Sequence, residues 1–424
     1  MSKITKYSFS DLYDMASGIS SKKEQAGHGA PFVSFGTVFN NYFIPEELPD
    51  LMNTSKKEQE IYSIKEDDIL ITRTSETIDE LAMSCVAIKD YPKATYSGFT
   101  KRLRPKIKGV AYSKYMAFYL RGYLFRKAVT NNAFMTLRAS FNEDIFSFLK
   151  LYLPDYKQQV AIGDLLYKIE KKIQLNNKIN DNLEQQVSLL YDYWFIQYNF
   201  PNEHGNPYAA SNGKMVWNDK IKRRIPQNWK VGTILNYGNI VSGGTPSTSH
   251  PEYYSTDSNA WITPNDLSGN ESNMYISHGE RDITLDGINN SSATRIPKGS
   301  ILISTRAPIG YIAISENEVC TNQGFKSIVP SNPYNCYYIY YFIKRNVPAL
   351  AQLGTGTTFK EVSKDTLSMF PAPLIPDRIL QQFNLKIENL CVLRRKNEVE
   401  NKKLIIMRDW LLPMLMNGQA IIED

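Results

Sequence analysis

Two stretches of the chain place apolar residues at alternating spacings of four and three positions. The first stretch runs from Ile162 to Trp194 and the second from Phe383 to Leu415. A 3.5-residue period held over this length predicts two coiled-coil helices, because an ordinary surface helix, the alternative, drifts toward a period of 3.6. The predicted seam positions are Ile162, Leu166, Ile169, Ile173, Asn176, Asn180, Leu183, Val187, Leu190 and Trp194 in the first helix, and Phe383, Ile387, Leu390, Arg394, Asn397, Asn401, Leu404, Arg408, Leu411 and Leu415 in the second.

Two asparagines lie in the middle of each predicted seam. We expect the helices to pair antiparallel, with Asn176 opposite Asn401 and Asn180 opposite Asn397. Polar seam residues cost stability but fix the register, since a slip would bury unpaired amides. The same pairing predicts two apolar contacts at the ends of the seam, Trp194 with Phe383 and Ile162 with Leu415.

Charged residues occur within the seam and at the helix starts. Arg394 and Arg408 interrupt the apolar positions, and we expect their long side chains to extend outward into solvent. Asp155 and Asp377 each follow a proline, at a point where a carboxylate can accept from the exposed amides of a helix N-terminus. Both helices are therefore predicted to begin near these aspartates.

The two halves of the chain repeat one ordered series of residues. Members of the series lie 222 positions apart: Thr136-Leu137-Arg138 with Thr358-Phe359-Lys360, Ile145 with Leu367, Pro154-Asp155 with Pro376-Asp377, and Gln159 with Gln381. Upstream, Ile69–Arg73 is echoed by Ile301–Arg306, and Gly98-Phe99 by Gly324-Phe325. An ordered series of this kind indicates an internal duplication.

Each half also contains short elements of both secondary-structure types. The β-branched runs 69–72 and 301–304 predict buried strands, and Tyr115–Val129 and Tyr337–Val347 predict helices. We therefore predict an α+β fold in which two similar mixed α/β domains are separated by two long antiparallel helices, with a pseudo-twofold internal repeat. The predicted segments are 1–154 (first domain), 155–200 (central helix), 201–375 (linker and second domain) and 376–424 (distal helix).

Composition and charge narrow the function only modestly. A hydrophobic content of 42% and an aromatic content of 12% indicate folded domains, and a net charge of +6 permits an anionic partner without requiring one. The four cysteines and four histidines are scattered, so we expect neither a metal site nor disulfides. With no signal-peptide pattern and no apolar run of membrane length, we expect a cytoplasmic protein without a membrane partner.

Several loop and helix-end motifs follow one another in a distinctive order. They are the segments Ile240–Ser247 (IVSGGTPS), Ser304–Gly310 (STRAPIG), Thr321–Phe325 (TNQGF), Leu190–Phe195 followed by Phe200-Pro201-Asn202, Ile225–Trp229, and Leu411–Gln419. Together with the duplication, these motifs make essentially the whole chain resemble the specificity subunits of type I restriction-modification systems. The first half departs from the opening loop of that family, because Ala16–Ser21 (ASGISS) replaces Gly-Gly-Thr-Pro.

The resemblance implies a DNA-binding subunit with no catalytic residues and no cofactor of its own. Each domain would bind one part of a split, asymmetric target in double-stranded DNA, and the helices would set the spacing. Two methyltransferase subunits, which bind S-adenosylmethionine and methylate adenine, would dock on the helical regions, and a motor-nuclease restriction subunit would join for cleavage. In agreement, Asn206-Pro207-Tyr208 and Asn332-Pro333-Tyr334 both lack the second proline of an adenine methyltransferase motif.

Candidate DNA contacts are basic, amide and hydroxyl side chains on glycine-rich loops, because these groups reach phosphates and base edges. In the second half they are Thr245, Ser247, Thr248, Arg306, Gln323, Lys326, Thr357 and Lys360. Their positional counterparts in the first half are Ser20, Lys22, Lys23, Arg73, Lys101, Arg102 and Arg138. For each of them a merely structural side chain is the alternative. Two other functions stay open: a DNA-specificity module of another modification or phage-defence system, and a coiled-coil scaffold that binds no DNA.

Overall fold

The computed structural model describes residues 4–20, 22–77, 80–132, 139–306, 308–356 and 360–422. The chain divides into two compact units, of which unit 1 comprises residues 1–174 and 402–424 and unit 2 comprises residues 175–401. These boundaries fall inside two long helices, Tyr156–Tyr191 and Asp377–Met416, so each unit contains part of both. Among the residues described, no helix is long and apolar enough to cross a membrane.

Unit 1 is a mixed α/β fold built on short strands. Its strands are β1 (Thr5–Ser8), β2 (Tyr13–Ser17), β3 (Ala26–Val33), β4 (Asp50–Met52), β5 (Ile69–Thr72), β6 (Thr74–Ser75), β7 (Ser84–Val86), β8 (Thr95–Tyr96), β9 (Thr100–Pro105), β10 (Ala139–Ser140) and β11 (Lys150–Leu153). Its helices are α1 (Phe9–Leu12), α2 (Phe35–Asn40), α3 (Lys56–Ile61), α4 (Ser113–Tyr119), α5 (Tyr123–Asn132), α6 (Glu143–Phe148) and the first part of α7 (Tyr156–Tyr191). The strands β2-β9-β5-β7 form an antiparallel sheet in that order, and β5 is buried along its whole length, as the sequence predicts.

Unit 2 repeats this plan with different loops. Its strands are β12 (Met215–Asn218), β13 (Arg223–Pro226), β14 (Lys230–Thr233), β15 (Gly238–Ser242), β16 (Tyr254–Ser255), β17 (Asn259–Ile262), β18 (Tyr275–Ile276), β19 (Arg281–Ile283), β20 (Ile301–Ile303), β21 (Ile312–Ser315), β22 (Cys320–Thr321), β23 (Lys326–Pro330) and β24 (Pro371–Leu374). Its helices are the last part of α7, α8 (Pro264–Ser268), α9 (Leu285–Asn289), α10 (Asn335–Gln352), α11 (Lys364–Ser368) and most of α12 (Asp377–Met416). The main sheet has the order β15-β23-β20-β21-β18.

The internal duplication is visible in the hydrogen-bonded register of the strands. Ser17 on β2 pairs with Lys101 on β9, and Ser242 on β15 pairs with Lys326 on β23, each residue lying 225 positions after its counterpart. A short parallel pair also recurs, since β3 pairs with β8 in unit 1 and β17 with β22 in unit 2. The predicted repeat of two mixed α/β folds is therefore confirmed at the level of strand pairing.

The two long helices lie antiparallel, and the central asparagines face one another within unit 2. The side-chain amide of Asn176 donates to the Asn401 carbonyl oxygen over 2.9 Å, and that of Asn397 donates to the Asn180 carbonyl oxygen over 2.9 Å. Partner numbers on α12 fall as residue numbers on α7 rise, which defines the antiparallel direction. All four side chains are buried, and these two hydrogen bonds join the helices where water is excluded, although the side-chain oxygen of Asn176 accepts no hydrogen bond from the described residues.

Apolar side chains fill the rest of the seam inside each unit. In unit 2 the rings of Trp194 and Phe383 lie 5.8 Å apart, and in unit 1 Ile162 and Leu415 belong to one hydrophobic cluster. Buried seam residues are Ile162, Leu166, Ile169, Ile173, Leu183, Val187, Trp194, Phe383, Ile387 and Leu415, and partly buried ones are Leu190, Leu390, Leu404 and Leu411. Asp155 accepts from the Gln158 amide at the start of α7, and α12 begins at Asp377, as the proline-aspartate pairs predict.

The prediction that the two seam arginines extend into solvent is wrong. Arg394 in unit 2 is only 6% exposed along its side chain, and its guanidinium binds Glu184 and, over 2.8 Å, Glu398. Arg408 in unit 1 is 15% exposed and donates to Glu170 over 2.9 Å. Carboxylates on the long helices neutralise both cations, so neither side chain has to reach water.

The predicted helix Tyr115–Val129 is interrupted, because α4 ends at Tyr119 and α5 begins at Tyr123. Arg121 lies in the break, and its guanidinium donates to the backbone carbonyls of Ser84, Val38, Phe39 and Asn41 over 2.7–2.9 Å. One cation thus holds together carbonyls from two neighbouring segments. The other predicted aromatic-rich helix, Tyr337–Val347, lies within α10.

Candidate nucleic-acid interface

The glycines of the unit 2 opening loop permit very close backbone packing. A Cβ atom on Gly243 would lie 2.0 Å from the carbonyl oxygen of Asn322, and one on Gly244 would lie 2.3 Å from the backbone nitrogen of Ala293. The amide of Gly244 also donates to the carbonyl oxygen of Thr321 over 2.8 Å. The two glycines therefore fix the loop 242–247 against the segment 321–325, which is the second predicted contact loop.

Unit 1 retains one of these glycines although its loop sequence differs. Gly18, 225 positions before Gly243, would place a Cβ atom 2.1 Å from the carbonyl oxygen of Ser97. Ser97 in turn lies 225 positions before Asn322, so the same pair of backbone segments is in contact in both units. The loop Ala16–Ser21 is thus a structural counterpart of the glycine-rich loop, although Ser21 lies outside the described residues.

Four of the predicted contact residues of unit 2 form one hydrogen-bonded group, which we call the basic cluster: Thr245, Arg306, Gln323 and Lys326, together with Glu361. Glu361 accepts from Arg306 Nε over 2.9 Å and from Lys326 Nζ over 3.3 Å. The Thr245 hydroxyl donates to the side-chain oxygen of Gln323, and Lys326 Nζ also lies 3.5 Å from the backbone oxygen of that glutamine. Arg306 is 47% exposed along its side chain and Lys326 only 10%, so the guanidinium is the more accessible cation.

The charge state of the basic cluster follows from these contacts. Partial burial raises the pKa of Glu361, but hydrogen bonds from Arg306 and Lys326 outweigh it and lower that pKa below its ordinary value. Glu361 is therefore ionised at neutral pH, and the three charged groups together carry one net positive charge. Glu361 was not among the sequence-predicted site residues, because the sequence repeat sets it opposite Ala139 and the strand pairing sets it opposite Ser140, and neither of these residues is charged.

The corresponding place in unit 1 is also basic. Lys101 is buried and donates to the Ser17 hydroxyl over 2.9 Å. Desolvation lowers the pKa of Lys101, the nearby charge of Arg73 lowers it further, and Glu143 opposes the change. An anion such as phosphate would relieve the repulsion between Lys101 and Arg73.

Two neighbouring arginines of unit 1 are engaged inside the protein. Arg102 is buried, donates to the carbonyl oxygen of Ser63 over 2.6 Å and lies 5.6 Å from the ring centroid of Tyr96. Arg104 forms two hydrogen bonds to the carboxylate of Asp68, of 2.7 and 2.6 Å. Both guanidiniums therefore stabilise the sheet, which favours the structural alternative for Arg102.

Backbone hydrogen bonds correct one equivalence inferred from the repeat. The amide of Arg73 donates to the carbonyl oxygen of Phe99 over 2.8 Å, and the amide of Thr305 donates to that of Gly324 over 2.8 Å. Arg73 therefore occupies the place of Thr305, one position before Arg306. The extra residue in Ile301–Arg306 shifts the arginine along the strand.

The equivalence of Gly98-Phe99 with Gly324-Phe325 is also wrong by one position. Phe99 is 62% exposed, whereas Phe325 is completely buried. The isolated bridge between Ser304 and Phe325 matches the pairing of Thr72 with Thr100, so Thr100 is the counterpart of Phe325. Unit 1 thus exposes a phenyl ring beside Lys101, where unit 2 has a glycine.

The remaining predicted DNA-contact residues are exposed at the surface, or they lie outside the described residues. Exposed residues are Ser20, Lys22, Lys23, Arg73, Ser247, Thr248 and Lys360. Arg138 and Thr357, with their neighbours in the motifs 136–138 and 358–359, lie outside the described residues. Within the described ranges no group of three or more His, Cys, Asp or Glu side chains could hold a metal ion.

Large apolar side chains are exposed along the long helices. On α7, Leu189 is 68% exposed. On α12, Leu385 is 71% exposed, Ile406 60% and Trp410 65%. Each of them points away from the seam of its own unit. Exposed residues of this size on helices are typical of surfaces that bind other proteins.

Comparison with known proteins places these features in a family. A family model described as the type I restriction modification DNA specificity domain matches residues 1–185 and 226–405. The type I restriction enzyme MjaIX specificity subunit of Methanocaldococcus jannaschii is 37% identical over 227 residues, which cover 50% of this chain and 51% of that protein. The HindI specificity subunit of Haemophilus influenzae is 26% identical over 329 residues, covering 65% of this chain and 70% of that protein.

A solved structure shows the same fold over nearly the whole chain. The crystal structure of a type I restriction-modification S subunit from M. genitalium aligns with a TM-score of 0.58 and 14% identity, covering 98% of this chain and 96% of that one. The chain spans only about half the length of the first relative named above, whereas the family model matches most of this sequence. This chain belongs to the family of type I restriction-modification DNA specificity subunits.

Proposed function

We propose that this chain recognises a bipartite, asymmetric DNA sequence and directs adenine methylation and restriction by partner subunits. Each unit binds one half of the target, and the long helices set the distance between the halves. A helix of 36 residues such as α7 extends roughly 54 Å, more than one turn of B-DNA, which rises about 34 Å.

The observation that carries the proposal is the basic cluster of unit 2 and its counterpart in unit 1. Both lie where two backbone segments, 242–247 with 321–325 and 17–20 with 97–101, are held together by glycines at equivalent positions. In unit 2 a half-exposed guanidinium, a glutamine side chain and a threonine hydroxyl belong to one hydrogen-bonded group, and side chains of these types recognise base edges. Exposed lysines such as Lys22, Lys23 and Lys360 supply phosphate contacts around them.

The chain acts without its own catalysis in this proposal. S-adenosylmethionine is bound by two methyltransferase subunits, and a motor-nuclease restriction subunit completes the assembly for cleavage. The exposed apolar residues of α7 and α12, of which Trp410 is the largest and Leu385 the most exposed, support docking of partner subunits on the helices. A specificity module of another modification or phage-defence system would use the same DNA-contacting loops with other partners.

DNA binding by the full chain with its partner methyltransferase subunit tests this proposal. We expect affinity for a duplex carrying the target to fall steeply as salt rises, because phosphate contacts release bound counterions. Arg306→Ala should weaken binding of the target by about 1–3 kcal/mol, whereas Lys57→Ala, an exposed lysine far from the loops in sequence, should leave it unchanged.

A coiled-coil scaffold gives a different result. It predicts no binding to duplex DNA at any salt concentration, and equal behaviour of the unmodified chain and both variants. Equal affinities for the two variants, together with normal binding by the unmodified protein, would contradict the assignment of Arg306 while leaving the rest of the proposal intact.

A further inference from the structure

A carboxylate lies at the centre of the basic cluster, where phosphate affinity alone would not favour it. Glu361 accepts from both cations of the cluster and is 33% exposed along its side chain. A negative charge beside a DNA phosphate costs binding free energy, because it cancels part of the attraction that drives association. The position of Glu361 therefore calls for another function.

The backbone of Glu361 is held rigidly, so its carboxylate has a defined position. Its amide donates to the carbonyl oxygen of Thr355 over 2.9 Å, and its own carbonyl accepts from the Thr355 amide over 3.0 Å. An antiparallel bridge also joins Glu361 to Arg306 itself. Two β-bridged residues with bonded side chains form a short, stiff unit.

The contact with Nε orients the guanidinium without consuming its outer donors. Arg306 bonds to Glu361 through Nε at 2.9 Å. The two terminal nitrogens of an arginine form the planar fork that matches the O6 and N7 acceptors of guanine in the major groove. An exposed arginine without such a contact would sample many rotamers, and ordering it would cost side-chain entropy on binding.

We propose that Glu361 is a specificity-determining residue that positions Arg306 to recognise a guanine in the half-site bound by unit 2. This inference rests on the proposed function. It adds the identity of one recognised base, guanine, and the residue that positions Arg306 to recognise it. Glu361 also opposes phosphates that approach the cluster, so it lowers the affinity for DNA that lacks the guanine. Unit 2 thereby gains discrimination between sequences and loses some affinity for DNA in general.

Unit 1 provides an internal control for this proposal. The pairing of Arg306 with Glu361 corresponds to the pairing of Thr74 with Ser140, so unit 1 has neither the arginine nor the carboxylate at these positions. A change at Glu361 should therefore alter base preference in only one half of the target.

Selection of bound sequences from a random duplex library tests the proposal, with the full chain assembled with its methyltransferase subunit. Glu361→Gln should reduce the preference for guanine at one position of one half-site by about tenfold. Affinity for DNA without the target should rise, because the variant removes the negative charge that opposes phosphates. Because the glutamate acts through the arginine, Arg306→Ala and the double variant R306A/E361Q should show the same loss. Glu318→Gln, which removes a carboxylate 3.6 Å from Arg295 in the same unit, should change nothing.

The outcomes separate this inference from the function on which it rests. If Glu361→Gln weakens binding to all DNA equally and lowers the melting temperature, Glu361 has a purely structural role and the inference is overturned. If the selected motif is bipartite but none of its guanines depends on Arg306, the inference about Glu361 is overturned while the proposed function stands. Absence of any selected motif with the unmodified protein would overturn both.

Discussion

The asparagine pair Asn180 and Asn397 offers a direct test of how the two long helices hold their register. The amide of Asn397 donates to the carbonyl oxygen of Asn180 over 2.9 Å, and both side chains are nearly inaccessible. We propose the substitutions Asn180→Leu and Asn397→Leu, singly and together. Leucine has a similar size and suits a seam position, so the change removes polarity with little change in volume.

The expected magnitudes follow from the burial of the pair. Each single change leaves one amide buried without its partner, which should lower the free energy of unfolding by about 1–3 kcal/mol. The double change removes both polar groups and should be close to neutral, within about 1 kcal/mol of the unmodified protein. The interaction energy from the double-mutant cycle is therefore expected to be roughly the sum of the two single losses, about 2–6 kcal/mol.

Urea unfolding of the full chain, followed by tryptophan fluorescence, measures these differences. Trp194 packs against Phe383 in the same unit and reports separation of the helices. Asn389→Leu, an exposed asparagine on the same helix, is the control and should shift the midpoint little. A double variant as unstable as the sum of the two single variants would refute the reasoning, because it would mean that the amides do not interact.

Three further predictions concern the buried charges and the loop glycines. Arg394→Met leaves Glu184 and Glu398 without their buried cation and should cost about 3–5 kcal/mol of unfolding free energy, measured by urea denaturation. Burial raises the pKa of Glu184, but its cationic partners outweigh burial and lower the pKa below the usual 4.5. The ionised carboxylate therefore stabilises the fold fully above about pH 4.5, and this stabilisation is lost as the pH falls further. Glu184→Gln should consequently make the free energy of unfolding depend less on pH in the acid range. Gly243→Ala would place a methyl group 2.0 Å from a backbone oxygen and should lower unfolding free energy by about 1–3 kcal/mol, whereas Gly269→Ala, whose nearest neighbour is 3.8 Å away, should cost far less in the same assay.

The fold could be predicted from the sequence because its main signals are periodic or repeated. The seam positions and the asparagine partners follow from spacing, since the antiparallel register predicted for two related helices brings Asn176 to Asn401 and Asn180 to Asn397. The duplicated strands could be located for the same reason, because each copy supports the interpretation of the other.

The sequence was less informative wherever a residue depends on a partner from another segment. Arg394 is buried because Glu184, on the other long helix, reaches it, and spacing along one helix cannot show that contact. The one-residue error at Arg73 arose because sequence similarity between the two halves does not show where the extra residue of Ile301–Arg306 is accommodated, which backbone hydrogen bonds reveal. Glu361 could not be predicted because its importance lies in the ion pairs with Arg306 and Lys326, and Ser140, which corresponds to it in unit 1, carries no charge.

Genome-wide mapping of N6-methyladenine in the source cell, with and without this gene, tests the central claim most directly. We expect one split sequence motif to lose methylation in both of its halves when the gene is removed, and to regain it when the gene is restored. Restoration with the Arg306→Ala variant should leave that motif undermethylated. An unchanged methylation pattern after removal of the gene, in cells that express it together with its methyltransferase, would contradict the claim that this chain selects the DNA target.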